Sequence, residues 1–163
     1  MDGSIATGNK LLFNTALVRF HGKPRNRHSR LFSTVYQGYK TALVESGLDW
    51  VAGDRLYFAP TNHQWMHSEY RTVVDYISST GLITLDEPFS FYHYGDDISS
   101  ASRYNGVDIR GEVRLLTRNV RIVGHENDDE WGGHVLTTDR MEFDGSNRHG
   151  TTIFDYVEVE NCS

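Results

Sequence analysis

Nowhere in this chain do apolar residues keep a three-and-four spacing for ten residues, which predicts an essentially helix-free fold. What recurs instead is the short alternating run stopped by a glycine. Leu17-Val18-Arg19-Phe20-His21 ends at Gly22, and Asp54 to Ala59 follows Ala52-Gly53. Ser29 to Val35 and Thr41 to Val44 are further short runs. Arg71 to Ile77 and Leu82 to Leu85 flank Ser78-Ser79-Thr80-Gly81, which reads as a hairpin. Val113 to Val123 reads as one β-branched and leucine-rich run, Val135 to Thr137 follows Gly132-Gly133, and Thr152 to Val159 ends the series. Turn-bounded strands of this kind suggest a sandwich, a barrel or a β-solenoid. No strict repeat period selects the solenoid. The most loop-like stretches are Lys23 to Arg30, Pro60 to Glu69, Gly95 to Asn105 and His125 to Glu130.

With 163 residues the chain can bury a real core. Its net charge of −6 argues against nucleic acid as a partner, because phosphate binding needs a basic surface. No run of about 18 apolar residues is present, so no membrane insertion by this segment is expected. Cys162 is the only cysteine, which rules out an internal disulfide framework and a four-cysteine zinc site. The eight histidines are scattered. Only His63 and His67 stand four apart, on a loop-like stretch without the acid of an H-E-x-x-H helix, so neither a metal nor another cofactor is expected.

Four segments carry a family resemblance. They are Phe20-His21-Gly22-Lys23-Pro24-Arg25, then Leu48-Asp49-Trp50-Val51-Ala52-Gly53-Asp54-Arg55-Leu56, then Leu85 to Phe89 with Tyr92-His93-Tyr94-Gly95, and finally Val107 to Val120 with its core Asp108-Ile109-Arg110-Gly111-Glu112. In this order they resemble the eight-glycine domain, and the strands after it, of the fibrocystin, fibrocystin-like and transmembrane hyaluronidase family. Gly132-Gly133-His134 also fits the family pattern. The resemblance implies an all-β fold in which a β-rich opening region leads into a right-handed parallel β-helix. Within residues 1–163, read as one all-β unit, it places the opening region at about 11–105 and the first coils at about 106–163. It also implies an extracellular or cell-surface setting, the ciliary membrane included, for a piece of a larger ectodomain.

Individual residues carry two readings each. Asp49, Trp50, Gly53 and Asp54 have structural roles that need no ligand. Trp50 can bury its ring, Gly53 can take a positive φ, and either aspartate can cap turn amides. Asp108, Arg110 and Glu112 would share one face of an extended strand, with Arg118 beyond them. They form either an ion-pair ladder or, together with His93, a weakly marked surface for an anionic or polyhydroxylated sugar. Asp96, Asp97, Asp108 and Glu112 are the available acids for glycoside hydrolysis, with no roles assigned by spacing. Aromatics of the Pro60–Glu69 and Phe89–Tyr94 loops either fill the core or stack on sugar rings. Asn161-Cys162-Ser163 is a glycosylation sequon.

Three functions compete. The first is a noncatalytic adhesion or ligand-binding module, with a polysaccharide such as hyaluronan as ligand. The second, implied by the hyaluronidase branch, is part of a hyaluronan-degrading glycosidase. The third is a purely structural cap of a β-helix. A solenoid rung needs cover for its apolar face and strand edges, so the rung near Ile153 to Val159 is expected to meet more of the same polypeptide or another chain.

Overall fold

The computed structural model describes residues 11–97, 104–124 and 133–162. Residues 98–103 of the expected Gly95 to Asn105 loop and the whole of the expected His125 to Glu130 loop lie outside the described residues, as do Gly132 and Ser163. Among the described residues the only helical element is a 3-10 turn at Trp65–His67, and no helix is long and apolar enough to cross a membrane. The chain divides into two compact units. One comprises residues 25–117, the other residues 1–24 with 118–163.

The second of these units is a pair of stacked parallel coils. The first coil consists of β1 (Leu11–Asn14), β2 (Leu17–His21) and, nearly a hundred residues later, β9 (Val120–Val123). The next consists of β10 (His134–Thr137), β13 (Thr151–Asp155) and β14 (Val157–Glu160). Each strand pairs in parallel with its counterpart: Leu12 with Val135, Phe20 with Phe154, Ile122 with Val159. The alternation in β2 and β9 points Val18, Phe20, Val120 and Ile122 inward and leaves Leu17, Arg19, His21, Arg121 and Val123 exposed. A short antiparallel hairpin, β11 (Arg140–Met141) with β12 (Asn147–Arg148), interrupts the second coil.

Two corners of the coils explain the glycines there. At one, Gly22 N–H donates to the Asp155 carbonyl at 2.8 Å, and a Cβ on Gly22 would collide with the Tyr156 carbonyl oxygen. At the other, Gly124 N–H donates to the Glu160 carbonyl at 2.9 Å, and a Cβ there would collide with the Asn161 carbonyl oxygen. The facing residues Tyr156 (φ 53°) and Asn161 (φ 50°) take the left-handed conformation that breaks the strand at the corner. Asn14 seals a third corner. Its buried side chain donates to the Thr151 carbonyl and the Thr152 hydroxyl, both at 3.0 Å, and accepts from Ala16 N–H at 2.8 Å.

Residues 25–117 form one antiparallel six-stranded sheet in the order β3-β8-β5-β6-β7-β4. The strands are β3 (His28–Arg30), β4 (Thr41–Leu43), β5 (Arg55–Phe58), β6 (Glu69–Ile77), β7 (Leu82–Leu85) and β8 (Glu112–Leu115). Just past edge strand β3, Phe32 N–H donates to the Leu43 carbonyl of the other edge strand at 2.8 Å, so the sheet curls until its edges meet. The alternate residues Leu56 and Phe58, Ile83 and Leu85, and Val113 and Leu115 fill the interior with Leu31, Val73 and Phe89. Each such side chain contributes about 1.5–3 kcal/mol by leaving water.

The near absence of helix among the described residues, the hairpin at Ser78–Gly81 and the parallel rungs agree with the sequence reading. The divisions of the chain differ. Residues 11–21, expected in the opening region, pair with strands beyond residue 133, and residues 106–117, expected in the coils, lie with the antiparallel sheet. The run Val113 to Val123 breaks into β8 and β9, one in each unit, and Thr152 to Val159 breaks at Tyr156. The run Ser29 to Val35 is a strand only at its start. The close backbone approach at Gly22 sets an expectation. Gly22→Ala should lower the denaturation midpoint by the equivalent of about 1–3 kcal/mol, as overpacking does. Gly133→Ala, whose Cβ would meet its nearest atom at 3.4 Å, should shift it little. Equal midpoints for the two variants would refute the corner geometry.

Candidate functional site

The segments that carry the resemblance meet inside the antiparallel sheet as buried polar contacts. Asp54 is 2 % exposed. Its two oxygens accept the Arg25 guanidinium, each at 2.7 Å, and Oδ2 also accepts Val51 N–H at 2.8 Å. This bidentate bond is the main cause that raises the Arg25 pKa, and Asp49 adds to it. Asp49 Oδ1 accepts Asn26 N–H at 3.0 Å. The Trp50 ring is buried, and its Nε1–H donates to the Asn26 carbonyl at 2.8 Å. Gly53 has φ 89° and turns the chain into β5.

His93 has no exposed surface. Its Nδ1 lies 3.0 Å from the Ala59 carbonyl and its Nε2 3.0 Å from Glu69 Oε1. Glu69 also accepts the backbone N–H groups of Ser90 and Phe91, at 2.8 and 2.9 Å, and the Arg71 guanidinium. Burial pushes the Glu69 carboxyl up, but the Ser90, His93 and Phe91 hydrogen bonds and the Arg71 charge outweigh it and hold the pKa below its usual value. His93, a candidate ligand residue in the sequence, is therefore closed off from any ligand. Its backbone bridges Val35 in both directions, at 2.9 and 3.0 Å.

The expected ladder of Asp108, Arg110 and Glu112 is not a strand at its start. Gly111 packs against Leu31, Thr61 and the Tyr94 carbonyl, and its N–H donates to that carbonyl at 2.7 Å, so β8 begins only at Glu112. Before it, Asp108 folds back on Arg110. Arg110 Nε donates to Oδ1 at 3.0 Å and Nη2 to Oδ2 at 2.8 Å, which raises the arginine pKa. Glu112 turns to Arg114 at 2.9 Å and Arg30 at 3.0 Å, and these cations hold its carboxyl below the usual range. Arg118 belongs to the coil unit, where its backbone N–H bonds the Glu158 carboxyl. Asp96 is buried and accepts the Tyr94 hydroxyl at 2.9 Å, pushing the phenol up to about 12, whereas Asp97 is exposed. His67 stacks on Phe91 with ring centroids 4.1 Å apart. Asn161 is an exposed coil corner.

What the bridge at His93 places on the surface is aromatic. Tyr36, Tyr39 and Tyr92 are 53, 51 and 44 % exposed. The Tyr36 ring stands edge-on to both others, with centroids 5.7 Å apart in each pair. Tyr36 to Tyr39 is a turn closed by Tyr39 N–H to the Tyr36 carbonyl at 3.1 Å, with Gly38 at φ 90° in its third position. Gly38 N–H and the Tyr39 carbonyl both bond the backbone of buried Phe89, at 2.8 Å each. Of the three rings the sequence singled out only Tyr92. The signal that could have found the others is Tyr-Gln-Gly-Tyr, a glycine-marked turn between two rings.

The coil unit holds a second feature that sequence reasoning did not assign. Arg121 of β9 contacts Glu158 at 3.1 Å and Glu160 at 2.5 Å on β14. Burial, with the neighbouring Glu160, raises the Glu158 pKa against the pull of Arg121.

The Glu69 network has a pH consequence. The folded-state pKa of Glu69 lies below its unfolded value, so its stabilisation is complete above that value and is lost as pH falls through the folded pKa. Stability should decline on acidification below about pH 4.5. Glu69→Gln should lose about 3–5 kcal/mol at pH 7, as removing one member of a buried pair does. Urea denaturation from pH 3 to 7 checks both. A variant with wild-type stability at pH 7 would refute the network's role.

No protein-family profile matches the chain. Curated proteins do. Human Fibrocystin-L is 24 % identical over 156 residues, spanning 90 % of this chain and 4 % of its own. Mouse Fibrocystin-L is 34 % identical over 66 % of the chain, which is 2 % of its length. The human cell surface hyaluronidase CEMIP2 is 28 % identical over 63 % of the chain and 8 % of its length. The chain thus spans only a small part of these relatives. Among solved structures, the tailspike gp49 of Pseudomonas phage LKA1 aligns with a TM-score of 0.42 and 13 % identity, covering 74 % of this chain and 18 % of that one. Modest identity over most of the chain to these and other curated relatives supports assigning it to the family of fibrocystin-like proteins, cell surface hyaluronidases and G8 domain-containing proteins.

Proposed function

We propose that the chain is a noncatalytic, extracellular or cell-surface ligand-binding module whose ligand is a glycan, with hyaluronan as the first candidate. The exposed cluster of Tyr36, Tyr39 and Tyr92 carries this reading. A tyrosine offers an apolar face to the C–H side of a pyranose and a hydroxyl to its oxygens. Three such rings on a backbone pinned by buried residues form a pre-ordered surface, which limits the entropy lost on binding. Two relatives support the ligand by their names, a cell surface hyaluronidase and a hyaluronan-binding protein. Asp108 and Glu112 are already engaged by Arg110, Arg30 and Arg114, an arrangement suited to structure more than to proton transfer.

A second reading, part of a hyaluronan-degrading glycosidase, draws on one observation. Glu158 and Glu160 are neighbouring carboxyls, and burial together with Glu160 raises the pKa of Glu158. Hydrolysis of a glycosidic bond needs such an acid beside a second carboxylate.

Incubation with high-molecular-mass hyaluronan separates the readings. Retention without shortening is expected, and the double variant Tyr36→Ala with Tyr92→Ala should weaken retention roughly tenfold, about 1.4 kcal/mol. Shortening that Glu158→Gln abolishes would instead establish the glycosidase. Neither retention nor shortening would leave a structural role in the coil stack.

A further inference from the structure

The outer face of the antiparallel sheet carries a line of arginines. On the neighbouring strands β3, β8, β5 and β6, buried residues such as Ser29, Val113, Leu56 and Phe58 alternate with side chains turned to solvent. The register sets the outward side chains in rows. In the middle row His28 lies opposite Arg114, Arg114 opposite Tyr57, and Tyr57 opposite Tyr70. In the row to one side Arg30 lies opposite Glu112. In the row to the other side Arg55 lies opposite Thr72, and the Arg55 carbonyl accepts Leu116 N–H at 2.9 Å. Arg30, Arg114 and Arg55 therefore fall on one diagonal across three strands. Neighbours displaced by two residues in this way stand about 7–8 Å apart.

Among the described residues of these rows the one carboxylate is Glu112, which Arg30 and Arg114 already share at 3.0 and 2.9 Å. Three guanidiniums thus meet one acid, a local reversal of sign in a chain of net charge −6. Arg55 lies over the Tyr70 ring, its guanidinium carbon 5.2 Å from the centroid, and the Tyr70 and Tyr57 rings are 5.3 Å apart. The basic diagonal therefore runs into an aromatic surface. Asp86, which accepts Thr72 N–H at 2.9 Å, marks where the basic surface ends. Like charges side by side on a sheet repel, and an anionic partner removes the repulsion. Guanidiniums suit anions with several oxygens, which they grip through paired N–H groups. The tyrosine faces suit the C–H side of a sugar ring. A polysaccharide with a carboxylate on every second sugar would meet the diagonal at few points. One bearing sulfates on most of its sugars can meet each arginine in turn.

We infer that this sheet face binds a sulfated polysaccharide, with Arg55, Arg114 and Arg30 on its sulfates and Tyr57 and Tyr70 against its rings. The inference rests on the glycan reading for its ligand class but uses a different surface. Calorimetric titration with a heparin decasaccharide tests it. The Kd should be about 10 µM at about 50 mM salt and should weaken steeply by about 200 mM, as counterion release requires. Arg55→Gln with Arg114→Gln, both exposed positions, should weaken binding at least tenfold, and Tyr70→Ala severalfold. Arg140→Gln with Arg148→Gln removes two exposed arginines of the coil hairpin and should change nothing. Tyr36→Ala with Tyr92→Ala should leave heparin binding intact, while the Arg55 and Arg114 pair should leave hyaluronan retention intact, so the two readings fail separately. No binding at about 50 mM salt, equal weakening by the two arginine pairs, or tighter binding of a single-stranded oligodeoxythymidine than of the decasaccharide would each overturn it.

Discussion

The fold turns on one corner of the coil stack, where the chain leaves the first coil and where it returns. Lys23 N–H donates to Asn119 Oδ1 at 2.6 Å, so the departing and returning segments are tied to one another. Beside them Gly22 lies under the Tyr156 carbonyl of the next coil. Everything from Arg25 to Thr117 is thereby an insertion between two strands, β2 and β9, of the same turn of solenoid. The long loop closure this requires is not prohibitive, since its entropy grows only with the logarithm of length. It does demand that the root be closed by short, well-aligned contacts, and a glycine without a Cβ is what permits the approach.

Within the insertion, segments far apart in the sequence are held together by polar contacts that are nearly dry. Arg25 reaches Asp54 in bidentate fashion, Gly111 bonds Tyr94, and His93 links Ala59 to Glu69. Buried groups of this kind add little net stability over an apolar core but are costly to break, so they fix one arrangement of loops against the alternatives. The consequence at the surface is order. The Val35–His93 bridge and the Phe89 backbone set the positions of Tyr36, Tyr39 and Tyr92, and the Asp108 pair sets that of Arg110. Side chains on loops need such support to hold one position, and here much of it comes from Phe89, His93 and Asp108, in the segments that carry the family resemblance.

Much of this was legible in the sequence because strand periodicity and glycine punctuation are local signals. The near absence of helix among the described residues and the Ser78–Gly81 hairpin follow from residue types at short range. The insertion was not legible. β1 and β2 look like the start of the unit that follows them, and only their pairing with β10 and β13 assigns them to the coil. Likewise Val113 to Val123 reads as one strand because nothing local shows that the chain changes unit near Thr117. His93 looks like a ligand residue until its burial against Phe58 and Phe89 is known, and Arg121 gains meaning only from strand β14 stacked on it.

The parallel register across the insertion is tested most directly by nuclear Overhauser contacts in solution. Cross-strand contacts should connect the backbone of Leu17–His21 with that of Thr151–Asp155, with Val18 opposite Thr152 and Phe20 opposite Phe154. Contacts from Leu17–His21 to residues of the antiparallel sheet instead, or a register displaced by one residue so that Arg19 and not Phe20 faces Phe154, would contradict the interrupted coil.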